Sequence, residues 1–188
     1  VKAFCVGKPI EHSLKKIEQL VDNYYLKYFT QKKKVILFSL SWGEDVPEWV
    51  INFIKNNNKE YIWLIRYHPH IDIYQTKFTS ALNGNENIII EGVENIPLEM
   101  LLSRCYCNIT MYSSVVIEAN FYGKMSIVVH KNSERMYSDL INRGKVLKAY
   151  SADELSMSLK KIQNKIFDVS HKEDLKQVIL DIMDKRES

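Results

Sequence analysis

Apolar residues fall into two kinds of stretch along the chain. In some they crowd into short runs, and in others they recur every three or four positions. The runs lie at Val35 to Leu40, Tyr61 to Ile65, Asn87 to Glu91, Arg104 to Thr110, Lys124 to His130 and Lys145 to Tyr150. A short apolar run without polar alternation suits a strand covered on both faces, so these six read as strands of a parallel sheet. Between them lie helical patterns. Pro47 opens one whose stripe is Trp49, Val50, Phe53 and Ile54, ending at Asn56-Asn57-Asn58. Ile71 to Leu82 reads as a loop with an irregular helix, and Pro97 opens a helix through Leu98, Leu101 and Leu102. Val115, Ala119 and Tyr122 form the inward stripe of a helix capped by Ser113 or Ser114 and closed by Gly123. Ser133 caps a helix with Met136, Leu140 and Ile141, closed by Gly144. The expected fold is α/β, a Rossmann-like parallel sheet of about six strands with helices on both faces.

The ends follow the same rules. Lys2 to Val6 is a short strand stopped by Gly7-Lys8-Pro9, and Ser13 to Phe29 is an amphipathic helix with Leu14, Ile17, Leu20 and Val21 inward. Two capping boxes, Ser151 to Glu154 and Ser170 to Glu173, start closing helices that cover the sheet. Residues 1–10 are expected to be a linking strand and 11–188 one domain, a size for which a 188-residue chain is ample. The first residue is Val1 rather than Met, which suggests an internal start within a longer protein.

Composition narrows the function classes. The chain is 46% hydrophobic and 26% charged, which argues against disorder, and its apolar runs are too short to span a bilayer. Lys and Arg number 26 against 23 Asp and Glu, a surplus too small to make nucleic acid the expected partner. The run Lys32-Lys33-Lys34 reads as a solvated segment before a strand. Cys5, Cys105 and Cys107 are an odd number without C-x-x-C spacing, so reduced thiols and a cytoplasmic location are expected. There is no G-x-G-x-x-G and no G-x-x-x-x-G-K-[ST], which sets aside dinucleotide oxidoreductases and P-loop ATPases.

Candidate chemistry sits where strands end. Ligands of open parallel sheets bind outside the carboxyl ends of strands, which places Ser39, Ser41 and Trp42 for contact after the first run. The second run leads into Arg66-Tyr67-His68-Pro69-His70, and Pro69 keeps His68 out of the helical region so that its imidazole can be aimed. His68 and His70 lack a carboxylate or thiolate at metal-site spacing, so no metal is expected. The fourth run delivers Ser113-Ser114 at the start of a helix. Hydroxyls and backbone N–H groups there make an anion site, although serines in this position also serve simply as caps. Glu118 lies one turn into that helix, where an acidic residue also complements the dipole.

A strand ending in Arg66-Tyr67-His68-Pro69 followed by one ending in Ser113-Ser114 resembles the HP and SS motifs of bacterial sialyl- and polysialyltransferases. Related patterns occur in capsule polysaccharide and CDP-glycerol glycerophosphate transferases. The resemblance covers about residues 35–150 and is to the donor-binding half of GT-B glycosyltransferases. It implies that His68 contacts the donor phosphate and assists leaving-group departure. It also implies that Ser113 and Ser114 hold that phosphate and that Glu118 accepts from ribose hydroxyls, with Ser41, Trp42 and Arg66 around the nucleotide. A departing nucleotide phosphate gathers charge that such donors stabilise. The implied donor is CMP- or CDP-linked by preference, with UDP-linked as the alternative, and no cofactor or metal is needed. The implied acceptor is a cell-surface polysaccharide or glycolipid, engaged through an N-terminal domain that also carries the general base. The implied location is the cytoplasm, at the inner face of the membrane. A sugar-nucleotide epimerase of the same fold and a non-catalytic nucleotide-binding module are the alternative readings.

Overall fold

The computed structural model describes residues 28–30, 32–40, 46–68 and 77–164. Six strands form one sheet: β1 Lys34–Ser39, β2 Tyr61–Arg66, β3 Ile88–Ile89, β4 Cys107–Thr110, β5 Ser126–Val128 and β6 Val146–Lys148. Their order is β3-β2-β1-β4-β5-β6 and every neighbouring pair is parallel. The intervening helices are α1 Glu48–Asn56, α2 Lys77–Leu82, α3 Leu98–Arg104, α4 Val115–Phe121, α5 Asn132–Met136, α6 Ser138–Asn142 and α7 Ala152–Asn164, with a 3-10 turn at Val93–Asn95. This is the Rossmann-like α/β fold that the apolar runs imply.

Each strand sends alternate side chains to opposite faces, and both faces are covered. Ile36, Phe38, Trp63, Ile65, Ile109 and Ile127 lie beneath α1, α2 and α7, which bury Val50, Phe53, Ile54, Phe78, Leu82, Leu155, Leu159 and Ile162. On the other face Val35, Leu37, Ile62 and Leu64 meet Met100, Leu101 and Leu102 of α3 and Ala119 of α4. Val128 and Val146 extend that face against Val116 and Leu140. Double coverage is why β1 and β2 read as unbroken apolar runs rather than alternating ones.

Several elements differ from expectation. The run from Lys124 to His130 contributes only Ser126–Val128 as strand, and Arg104 to Thr110 only Cys107–Thr110, because Arg104 still belongs to α3. In α4 the buried residues are Val116, Ala119 and Asn120, while Val115 and Tyr122 pack at the margin. The helix sits over β4 and β5 together, so it buries a broader arc than one stripe. The helix expected from Ser133 to Gly144 is two short helices broken at Tyr137, whose dihedrals of φ −122° and ψ 25° leave the helical region. In exchange Tyr137 buries its ring and donates its hydroxyl to the Tyr112 carbonyl at 3.0 Å. Ser133 lies inside α5 and donates to the His130 carbonyl rather than capping, and Met136 is 53% exposed instead of inward.

Other punctuation falls where the pattern put it. Gly123 has φ 65° and its N–H meets the Asn120 carbonyl at 3.0 Å while Lys124 N–H meets Ala119, the left-handed exit that favours glycine. At the first capping box Ser151 Oγ accepts from Glu154 N–H at 3.2 Å. The Glu154 carboxylate takes the Tyr150 N–H at 2.6 Å. The strand at Lys2 to Val6, the helix from Ser13, the second capping box, Cys5, Ser41 and Trp42 lie outside the described residues.

Candidate functional site

Because all six strands are parallel, their carboxyl ends share one edge, and the sheet order reverses direction between β1 and β4. A crevice opens where connections leave for opposite sides, and ligands of such sheets bind there. His68 follows β2 and Ser113 follows β4, so both lie on this edge and flank the end of β1. The strands that lead to them, β2 and β4, lie two strand spacings apart, about 10 Å, a span that a phosphate and the side chains around it can bridge.

The serine turn is held from below. Thr110, at the last register position of β4 beside Ser39 of β1, is completely buried. Its Oγ1 donates to the Ser39 carbonyl at 2.6 Å and accepts the Ser113 N–H at 3.2 Å. Ser113 Oγ in turn accepts the Val115 N–H at 3.4 Å, and the Val116 N–H reaches the Ser113 carbonyl at 3.1 Å. Ser113 thus supplies the side-chain acceptor of the turn, while Ser114 stands at the N-cap position with no side-chain cap bond. Ser114 is exposed, and among the described residues neither its N–H nor its hydroxyl is engaged. α4 has seven residues, a short dipole, so the donors that count here are the hydroxyls and local N–H groups.

On the β2 side, Leu40 N–H bonds the Arg66 carbonyl at 2.9 Å and carries the β1–β2 pairing to the sheet edge. The Arg66 guanidinium donates to the Val93 carbonyl at 2.9 Å and the Ile96 carbonyl at 2.6 Å, fixing the 3-10 turn before α3. Burial pulls its pKa down, opposed by the charges of Glu99, Glu94 and Glu118, and an arginine so placed stays cationic at neutral pH. Glu118 is the smallest of these contributions, and it is half-buried in the first turn of α4. Tyr67, between Arg66 and His68, is buried and shares a 2.7 Å hydroxyl contact with Thr79 of α2. Its ring lies edge-on to Phe78 at 6.3 Å. That anchor fixes the backbone leading to half-buried His68.

Sequence reasoning placed Ser39 for ligand contact and passed over Asn108 and Ser126, yet Ser39 is buried and its hydroxyl is turned to a neighbouring strand inside the sheet. Ser39 Oγ donates to Asn108 Oδ1 at 2.7 Å, and Asn108 Nδ2 donates to Ser126 Oγ at 3.1 Å. All three side chains are buried, and they form a rung across β1, β4 and β5 beneath the site. The signal was an Asn inside an apolar strand, a residue type depleted there unless its amide is satisfied. His130, just beyond β5, accepts the Asn132 N–H on Nδ1 at 3.2 Å and meets the Tyr112 ring edge-on at 5.5 Å. Cys105 and Cys107 are free and buried. Burial pushes Cys105 up to about 12 and Cys107 well above the usual thiol range, which leaves both protonated and without a nucleophilic role. Among the described residues no three His, Cys, Asp or Glu side chains converge as a metal site, and no helix is long and apolar enough to cross a membrane.

No family model matches the chain, and no curated protein matches it in sequence. Solved structures do match in fold. The UDP-GlcNAc 2-epimerase of Methanocaldococcus jannaschii, in complex with UDP-GlcNAc and UDP, superposes with a TM-score of 0.62 at 19% identity, over 85% of this chain and 46% of that one. The UDP-GlcNAc 2-epimerase of Neisseria meningitidis, bound to UDP-GlcNAc, gives 0.58 at 18% identity over 94% and 52%. A variant of the wall teichoic acid polymerase TagF soaked with CDPG gives 0.56 at 19% identity over 95% and 49%. At these identities the likeness is one of fold, a GT-B-like half, and the chain spans about half the length of each of these proteins.

Proposed function

We propose that this chain is the donor-binding half of a transferase that moves a sugar or polyol phosphate from a nucleotide-activated donor to a cell-surface polysaccharide or glycolipid. The observation that carries the reading is the pairing of His68 with the Ser113-Ser114 turn on one sheet edge, on either side of the topological reversal. In this reading the donor's phosphate lies between them, and Ser114 gives an N–H and a hydroxyl while Ser113 gives a hydroxyl. His68 donates to the phosphate oxygen that becomes negative as the bond to the transferred group breaks. Glu118, in the first turn of α4, accepts from the ribose hydroxyls. Arg66 acts by holding the Val93 to Ile96 turn beside the nucleotide rather than by reaching for it. Acceptor and general base belong to residues beyond the half that these 188 residues match, and the enzyme works in the cytoplasm at the membrane's inner face.

Isothermal titration with CMP, CDP, UDP and their nucleosides, with and without EDTA, tests this reading. A cytidine nucleotide should bind more tightly than cytidine, and chelation should leave its affinity unchanged, since the phosphate's partners are all side chains and amides. Ligand at a hundred times its dissociation constant should stabilise the fold by about 2.7 kcal/mol, which a thermal melt will show. Failure of every nucleotide to bind would remove the proposal. A second reading, a sugar-nucleotide epimerase, draws on two of the structural neighbours being UDP-GlcNAc 2-epimerases. It requires UDP and UDP-GlcNAc to bind in preference to the cytidine series.

A further inference from the structure

We infer that the buried hydroxyl of Thr110 is a positioning residue for the phosphate turn, and that by occupying the Ser113 N–H it makes Ser114 the residue whose amide meets the ligand. The inference rests on the phosphate-binding reading of this edge and assigns unequal parts to its two serines. Thr110 closes a path from one strand end to another. Its single hydroxyl hydrogen goes to the Ser39 carbonyl at 2.6 Å, so its remaining capacity is as an acceptor, and the Ser113 N–H fills it at 3.2 Å. The Ser39 carbonyl sits at the last rung between β1 and β4, where no further β4 residue continues the ladder. The same residue's hydroxyl is tied to Asn108, so the end of β1 is fixed by both its backbone and its side chain.

The consequence is a turn whose backbone is tied to the sheet as well as held by its own hydrogen bonds. A hydroxyl held at a completely buried position has one arrangement that satisfies every group, and the turn inherits that rigidity. The Ser113 N–H then points inward, to Thr110, and cannot serve an anion. Ser114 follows it with an N–H and a hydroxyl that no described residue takes. A β-branched residue of the same shape without the hydroxyl would release the Ser113 N–H, leave the Ser39 carbonyl unpartnered and let the turn shift. A donor placed even slightly off its acceptor loses most of its hydrogen-bond energy, since the interaction weakens steeply with angle.

The test uses Thr110→Val, which keeps the shape, and Thr110→Ser, which keeps the hydroxyl. Protein-observed NMR titrations with CDP, UDP, cytidine and uridine give, for each protein, the ratio of nucleoside to nucleotide dissociation constants. Thr110→Val should reduce that ratio roughly three- to tenfold, the loss expected for one well-placed hydrogen bond, while nucleoside affinity stays the same. Thr110→Ser should restore it to within about twofold, an outcome that general loosening of the fold would not produce. If Thr110→Val does not fold, the parent protein still decides: its Ser113 amide should exchange slowly and respond little to nucleotide, and its Ser114 amide should exchange fast and shift strongly. A folded Thr110→Val with an undiminished ratio, or a Ser113 amide that exchanges fast and moves with the ligand, overturns the role of Thr110 while the donor-site reading stands. A parent whose nucleotides bind no better than their nucleosides overturns both.

Discussion

Replacing His68 with Ala should weaken CDP or UDP binding by roughly 1 to 3 kcal/mol, a factor of about five to 150, and leave cytidine and uridine binding where they were. The size follows from what the imidazole is asked to do. A hydrogen bond to a charged phosphate oxygen contributes more than a neutral one, and truncation to Ala also leaves the anion facing fewer donors at a crevice edge. The backbone should hold, because Tyr67 anchors this segment through Thr79 and Phe78. His68→Gln, which keeps an N–H donor, should fall between parent and Ala. Calorimetric titration of the four ligands against the three proteins, with melting curves to confirm folding, settles it. Equal losses for nucleoside and nucleotide would mean that His68 shapes the pocket rather than meeting the phosphate.

The coarse architecture was legible because it is written in the two-sided burial of β1 and β2. Five consecutive buried residues in Val35 to Ser39 leave no solvated face, the environment that a parallel sheet with helices on both sides offers. The serine turn and His68 were legible for a related reason: Gly123 and Pro69 punctuate the chain beside them, and strand ends are where such sheets put ligands. What could not be read was which hydrogen bonds the side chains would choose. Tyr137 has the spacing of a helix interior, yet its hydroxyl finds the Tyr112 carbonyl 25 residues earlier in the chain and the helix breaks there. Arg66 reads as a nucleotide contact from its position, and no local pattern shows that its Nη1 also reaches the carbonyls of Val93 and Ile96. Thr110 and Asn108 looked like ordinary members of a strand. Their importance depends on Ser39 lying one strand away, 71 and 69 residues distant in sequence, which no local pattern reveals.

Asn108→Ala should cost about 2 to 4 kcal/mol of folding stability, the largest effect expected of any single polar side chain beneath the site. The argument is one of orphaned partners. Asn108 is fully buried and joins Ser39 on β1 to Ser126 on β5, so its removal strands two hydroxyls in an interior that is also fully buried. Each buried group left without a partner carries a penalty of roughly 1 to 3 kcal/mol, less where a hydroxyl can rotate to another acceptor or a water can enter the vacated space. Removing the hydroxyls as well separates this penalty from the loss of packing: the triple change Ser39→Ala, Asn108→Ala and Ser126→Ala should be less destabilised than the sum of its parts, because no orphan remains. Urea denaturation of the set gives the comparison, with an unchanged slope showing that the denatured state is the same. A cost for Asn108→Ala near the ±0.5 kcal/mol of a surface change would show that the rung contributes no net stability. In that case the register of β1, β4 and β5, and with it the placing of the serine turn, would have to come from the apolar faces alone.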